Sequence, residues 1–256
     1  RVNRGSARDL VMFVAGVRFA ESEGQRATQI ARELIRSGIA VLFVYFRWES
    51  EYGRPVPASH DPLLFQLPMD LFDPARAPVL ERDFRPSLRR SCVFEFPHPR
   101  AFQWVNELNL AGWKTLYDII DDWEEFHRAG KAPWYEPAVE RYLCANASAT
   151  AAVAPPRARK AEEWGPGLKA AIVPNGVSPD SFDTGLARRE LRRGALTAGY
   201  FGYLTPAWFD WGTVAKAAAR RPDWQFHIIG YGEPAPAALP DNVQLLGKVP
   251  HGELPA

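Results

Sequence analysis

The strongest constraint on this chain is a repeated alternation between unbroken apolar runs and segments whose apolar residues recur at helical spacing. "LVMFVAGV" (10–17) and "AVLFVYF" (40–46) are continuous runs of the kind a strand covered on both faces requires. Between them Ala27, Ile30, Ala31, Leu34 and Ile35 fall on one helical face, and Gly38 stands where a helix of that length would stop. A strand–helix–strand unit closes by a right-handed crossover, which sets its two strands parallel.

The alternation continues. "LLFQLP" (63–68), "SCVFEFP" (91–97), "KTLYDII" (114–120), "TAAVA" (150–154) and "KAAIVP" (169–174) read as strands; 102–110, 137–147 and 157–164 read as helices. Residues 47–62 form a Pro- and Gly-containing loop, and 69–90 carry no clear period. Residues 178–196 are polar, after which the pattern restarts: strand 196–204, helix 213–220, strands 224–232 and 242–249. The expectation is an α/β protein of two Rossmann-like domains, the first over 1–177, a linker over 178–196, and the first part of a second over 197–256. The double turn in "AAIVPNGVSPDSF" fits that seam. Pro174 and Pro179 fix φ, and Asn175-Gly176 accepts positive φ. "VPHGELPA" ends the chain on the start of a helix, so further elements are expected to follow.

A formal net charge of +1 gives no whole-protein argument for nucleic acid. Basic residues do cluster at Arg85, Arg89 and Arg90, at Arg157, Arg159 and Lys160, and at Arg188, Arg189, Arg192 and Arg193. They read as solvated faces or as contacts for an anionic ligand or membrane surface. The two cysteines, Cys92 and Cys144, lie in separate apolar segments and fit a reducing compartment. No apolar run approaches the ~20 residues of a membrane span. The basic opening is followed by too short an apolar run for a signal peptide. The expected location is cytoplasmic, with a peripheral place on the inner membrane face as the alternative.

Four segments carry a family resemblance. "VPNGVSPDSF" resembles the "PNGVD…F" segment that precedes the second domain in glycosyltransferases of GT-B fold, most closely the large, mostly retaining group that uses nucleotide-activated sugars. "AGYFGYLTPAWFDWGTVAKAAARRPDWQFHIIGYG" is similar to the opening strand, helix and strand of that group's donor-binding domain. "LPDNVQLLGKVPHGELPA" resembles the segment that follows. "GQRATQIARELIRSGIAVLFVYF" and "TLYDIIDDWEEF" are similar to parts of its N-terminal domain. The resemblance implies a UDP- or GDP-sugar donor bound mainly by the second domain and a glycan or lipid-linked acceptor on the first. It implies transfer in the cleft between them, with neither metal nor other cofactor. The chain departs from the pattern after Gly202, where the Arg and Lys that hold the donor diphosphate in many members are missing. The sugar-holding pair of glutamates would fall beyond Ala256.

In doubly wound sheets ligands sit outside the carboxyl ends of the strands, and this locates the candidate residues. In "RFAESEGQRA", Gly24 could let backbone approach a ligand at a helix start, with Glu21 and Glu23 as acceptors for sugar hydroxyls; a solvated loop is the plainer alternative. His98 lies between two prolines just past a strand, and the resemblance places a histidine near the transferred sugar or acceptor there. It could donate a hydrogen bond or exchange a proton near pH 7, or be a turn residue satisfied by backbone. Asp121 and Asp122 stand at a strand mouth, where one carboxylate could take a proton from an acceptor hydroxyl, or both could cap the "WEEF" helix. In the second domain, the loops after "YFG" (Gly202, Tyr203) and "IIGYG" (Gly230, Tyr231, Gly232) could bring N–H groups to phosphate oxygens. The resemblance places the base near Lys248 and Val249. Trp208, Phe209 and Trp211 read as packing more than sugar stacking.

Two readings follow: a nucleotide-sugar glycosyltransferase acting in cell-surface polysaccharide or glycolipid biosynthesis, or a GT-B-like domain that no longer catalyses and binds glycan or protein partners. A sugar-nucleotide epimerase on the same architecture is a third.

Overall fold

A computed structural model describes residues 9–19, 24–76, 89–165, 167–177 and 196–254 of the chain. The chain divides into two compact units, Arg1–Gly176 and Val177–Ala256. Most of the expected linker, 178–195, lies outside the described residues.

The first unit is a seven-stranded parallel sheet: β1 (Asp9–Ala15), β2 (Ala40–Tyr45), β3 (Leu64–Pro68), β4 (Arg89–Phe94), β5 (Lys114–Ile119), β6 (Ala149–Ala152) and β7 (Ala170–Ile172). Their order is β3-β2-β1-β4-β5-β6-β7. The chain winds outward in one direction from β1 and then in the other from β4, so the topological switch lies between these two strands. The pleat divides the apolar residues between two faces. Phe13, Ala15, Val41 and Phe43 pack with Ala27 and Ala31 of helix α1 (Arg26–Arg36). Met12, Val14, Val44 and Phe94 face the larger core. That core includes Trp104, Val105 and Leu108 of α2 (Ala101–Leu110), together with Leu143 and Cys144 of α4 (Pro137–Asn146).

Helix ends follow local chemistry. Gly38, at φ 78°, supplies the left-handed stop after α1. Proline opens both α4 and α5 (Pro155–Glu163), where its missing N–H has no partner to lose. A short helix α3 (Trp123–Arg128) starts at Asp122, whose carboxylate accepts from the Glu125 N–H.

The second unit holds a separate three-stranded parallel sheet of order β10-β9-β8, built from β8 (Thr197–Leu204), β9 (Gln225–Gly232) and β10 (Val243–Gly247). Helix α6 (Trp211–Arg220) joins β8 to β9. Asp210 caps it, accepting from the Gly212 N–H at 2.8 Å. Leu204, Phe209 and Ile228 form its small core, with Tyr200 4.4 Å from Phe209 between ring centroids. Phe209 is therefore a packing residue.

Candidate functional site

The loops at the carboxyl edge of the first sheet assemble two neighbouring features. One is an aromatic cavity of about 200 Å³ beyond β2 and β4. Phe46 meets Trp48 edge to face at 5.0 Å and lies 5.3 Å from His98. Trp134 closes the other side, 5.2 Å from Phe96 and 5.6 Å from His98. Arg47 fixes the wall behind them. Its Nε and Nη2 donate to the two oxygens of Asp70 at 2.8 and 2.6 Å, and Nη1 donates to the Arg54 carbonyl. The Arg47–Asp70 pair is nearly closed to solvent, and such bidentate geometry is what offsets its desolvation.

His98 lines this cavity. Its Nδ1 accepts the Arg100 N–H at 3.1 Å, which leaves the ring proton on Nε2. Burial, reinforced by Arg100, lowers its pKa to about 4. The imidazole is therefore neutral at pH 7, and its contact with the Arg100 N–H is the backbone-satisfied turn arrangement the sequence offered as an alternative.

The second feature is a row of acids at the ends of β4 and β5. Phe94 and Tyr117 are register partners, so the next residues, Glu95 and Asp118, stand side by side on the face beneath α1. Both are only 2% exposed. Arg26, the first residue of α1, pairs with Asp118 through Nε at 2.8 Å and Nη2 at 3.4 Å. Its Nη1 reaches the Pro174 carbonyl and Asn175 Oδ1. Glu95 gains no such partner: one of its oxygens, Oε1, is buried without a hydrogen bond. Burial, with the Asp118 carboxylate beside it, raises its pKa to about 8 against the pull of Arg26. At neutral pH it is mostly a carboxylic acid.

Asp121 and Asp122, adjacent in sequence, have opposite environments. Burial and the Asp122 charge raise Asp121 to about 6, and no hydrogen bond or ion pair holds it among the described residues. Burial also works against the Asp122 charge. The Glu125 N–H, Lys160 and Arg157 outweigh it, and the pKa falls below the ordinary value. Asp122 thus caps α3 and pairs with Arg157 and Lys160. Its carboxylate is committed to structure, while Asp121 is the titratable group of the two.

Several expected residues lie elsewhere. Gly24 is exposed in the turn before α1, while Glu21 and Glu23 fall outside the described residues. In the second unit, Gly202, Tyr203, Gly230, Tyr231 and Gly232 are not loop residues. They pair across β8 and β9 as Gly202 with Gly230, Tyr203 with Tyr231 and Leu204 with Gly232. The strands approach so closely that a Cβ on Gly230 would stand 2.0 Å from the Gly202 carbonyl oxygen. Backbone spacing therefore explains that glycine. The loops begin at Thr205 and Glu233, whose side chains meet at 3.2 Å. Lys248 lies over the Tyr231 ring at 5.0 Å, and Val249 follows it in the loop after β10.

The basic clusters are partly neutralised. Arg89 pairs with Asp9, Arg157 with Asp122, and Lys160 with both Asp122 and Glu124. Arg85 and the arginines at 188–193 lie outside the described residues. Among the described residues no helix is long and apolar enough to cross a membrane, and no group of three or more His, Cys, Asp or Glu could hold a metal.

The sequence did not single out Glu95, Arg26, Trp48 or Trp134. Glu95 was visible as a charge closing an apolar run; the two tryptophans come from separate loops that only the fold brings to one cavity.

This geometry, a seven-stranded parallel sheet with a second parallel sheet after it, defines the GT-B class of fold, and solved structures agree. The chain is similar to UDP-GlcNAc 2-epimerase from Neisseria meningitidis bound to UDP-GlcNAc, at TM-score 0.55 and 12% identity, over 96% of this chain and 73% of that one. It is similar to α,α-trehalose-phosphate synthase (UDP-forming) from Burkholderia vietnamiensis, at TM-score 0.50 and 12% identity, over 90% and 65%. It is also similar to α,α-trehalose 6-phosphate synthase from Burkholderia multivorans, at TM-score 0.50 and 13% identity, over 97% and 74%. No family model and no curated protein sequence matches the chain.

Proposed function

We propose that the protein is a glycosyltransferase that moves a sugar from a UDP- or GDP-linked donor to a glycan, lipid-linked or other hydroxyl acceptor, in cell-surface polysaccharide or glycolipid biosynthesis. The acceptor binds the first unit and the donor the second. The observation that carries this reading is the split between Asp121 and Asp122: one carboxylate is spent on a helix cap and two cations, while the other has no partner among the described residues and is raised to about 6. A group so poised is mostly ionised at pH 7 yet basic enough to take a proton. The solved structures support the donor class, since one is bound to UDP-GlcNAc and another is described as UDP-forming.

In this mechanism Asp121 accepts the proton of the acceptor hydroxyl as its oxygen attacks the anomeric carbon. The bond from that carbon to the diphosphate oxygen breaks, and the nucleoside diphosphate leaves with the electron pair. His98, neutral, donates from Nε2 to a sugar oxygen and orients it. No cofactor enters the scheme. The protein works in the cytoplasm, against the inner membrane face when the acceptor is lipid-linked.

A second reading rests on one observation: the loop after β8, "TPAWFD", holds neither Arg nor Lys for a diphosphate. On that reading the protein binds glycan or a protein partner without catalysis. Calorimetric titration with UDP- and GDP-sugars, followed by product analysis with and without glycan acceptors, separates the two. Donor binding and acceptor-dependent release of nucleoside diphosphate support transfer. Release without acceptor, with an epimerised sugar, points to an epimerase. Absence of binding to every donor defeats the proposal.

A further inference from the structure

The aromatic cavity differs from the acid row in chemistry, and its shape selects an occupant. We infer that it holds one pyranose ring of a glycan acceptor, packed against Trp48 and Trp134 and hydrogen-bonded by His98, Glu49 and Arg100. This rests on the reading that the first unit takes the acceptor.

Size is the first argument. A volume of about 200 Å³ falls below the ~300 Å³ at which pockets for drug-sized ligands begin. A single sugar ring suits that space, and a complete nucleotide-sugar does not.

Charge is the second. Every nitrogen of the Arg47 guanidinium is committed, two to Asp70 and one to the Arg54 carbonyl. The remaining charged residues of the lining, Arg100 and Glu49, balance each other. A diphosphate would find no net positive charge here, whereas a hydroxyl both donates and accepts. Glu49 can accept from it, while Arg100 and the His98 Nε2–H can donate to it.

Wall geometry is the third. Among the rings that line the cavity, Phe46 and Trp48 meet at 84°, Phe46 and His98 at 44°, and His98 and Trp134 at 42°. A flat nucleobase stacks between parallel rings, and these walls form a corner. The C–H faces of a chair-shaped ring point in several directions and fit such a corner. Trp48, 51% exposed, keeps part of its ring open to a ligand in the cavity.

The test uses ligand-observed saturation-transfer NMR on the whole protein, with the methyl glycosides of glucose, galactose, mannose, N-acetylglucosamine and glucuronic acid as probes. UDP affinity is measured in parallel by calorimetry. At least one glycoside should bind saturably, and Trp48→Ala should weaken it roughly tenfold or more. Glu49→Gln, on an exposed turn, should weaken it as well. UDP affinity should change less than about twofold in both variants. Absence of binding by every glycoside, or unchanged binding in both variants, overturns the inference. UDP binding with no glycoside binding sinks the cavity assignment and leaves the transferase reading intact. Glycoside binding with no donor binding does the reverse.

Discussion

Arg26 and Asn175 are joined across the whole first unit: Nη1 of the arginine donates to Oδ1 of the asparagine at 3.2 Å. The same guanidinium holds Asp118 and the Pro174 carbonyl. The Pro-Asn-Gly turn is thus tied to the start of α1 and the mouth of β5, so its side chains do more than reverse the chain.

Replacing Arg26 by Ala leaves Asp118 buried without its cation. Breaking a buried pair from one side costs about 3–5 kcal/mol. The melting temperature should fall by roughly 6–20 °C for a unit of this size. Arg26→Met with Asp118→Asn, which removes both charges, should recover part of the loss. Differential scanning calorimetry of the three proteins checks the ordering.

Glu95 should make stability fall with rising pH. Its folded pKa, about 8, lies above the ordinary 4.5, so the folded state holds a proton that the unfolded chain releases. The stability associated with that proton is fully present below pH 4.5 and is lost as pH rises through 8. Glu95→Gln removes the titration. Its stability relative to wild type should climb across this window by an amount on the order of a few kcal/mol. Urea denaturation at pH 5, 6, 7 and 8 reads the slope, and a parallel pair of curves would refute it.

Asp121 should govern the acidic limb of activity. With a pKa near 6, kcat/KM should rise with pH up to about 6 and then level off. Asp121→Asn should lower kcat roughly 10²–10⁴-fold. Asp122→Asn keeps a capping oxygen but removes the charge that helps raise Asp121, so the limb should move to lower pH, and the pairs with Arg157 and Lys160 are lost. His98, at about 4, contributes nothing to a limb near 6, so His98→Gln should keep its position. A pH–rate series on the three variants decides.

Gly230→Ala should disrupt the second unit. The added carbon would meet the Gly202 carbonyl oxygen at 2.0 Å, and neither strand backbone can retreat without breaking the ladder. A loss of about 3 kcal/mol or more is expected. Gly199→Ala, in the same sheet with open space around it and no positive φ, should leave stability unchanged or raise it by under about 1 kcal/mol. Circular dichroism melts of both compare them directly.

The layered plan was legible because it is written in local chemistry: apolar runs such as 40–46, the period of α1, and Gly38 at its end. The site was legible only by position. Asp121 and Asp122 look equivalent along the chain, and only Arg157 and Lys160, brought in by α5, set them apart. Gly202 and Gly230 fall inside runs legible as strands, but that their backbones meet face to face follows only from the pairing of β8 with β9. Nothing local to "VFEFP" says that one oxygen of Glu95 is stranded, since that follows from which neighbours the sheet order supplies.

The tie between Arg26 and Pro174 spans 148 residues. At about 5–20 residues per second on the ribosome, roughly 7–30 s separate synthesis of the two ends. For that interval the nascent unit carries an arginine with its outer nitrogen uncommitted and a sheet edge without β7. Its last seal is made by the newest stretch of polypeptide, so closure of the first unit keeps pace with translation and not with its own fast local folding.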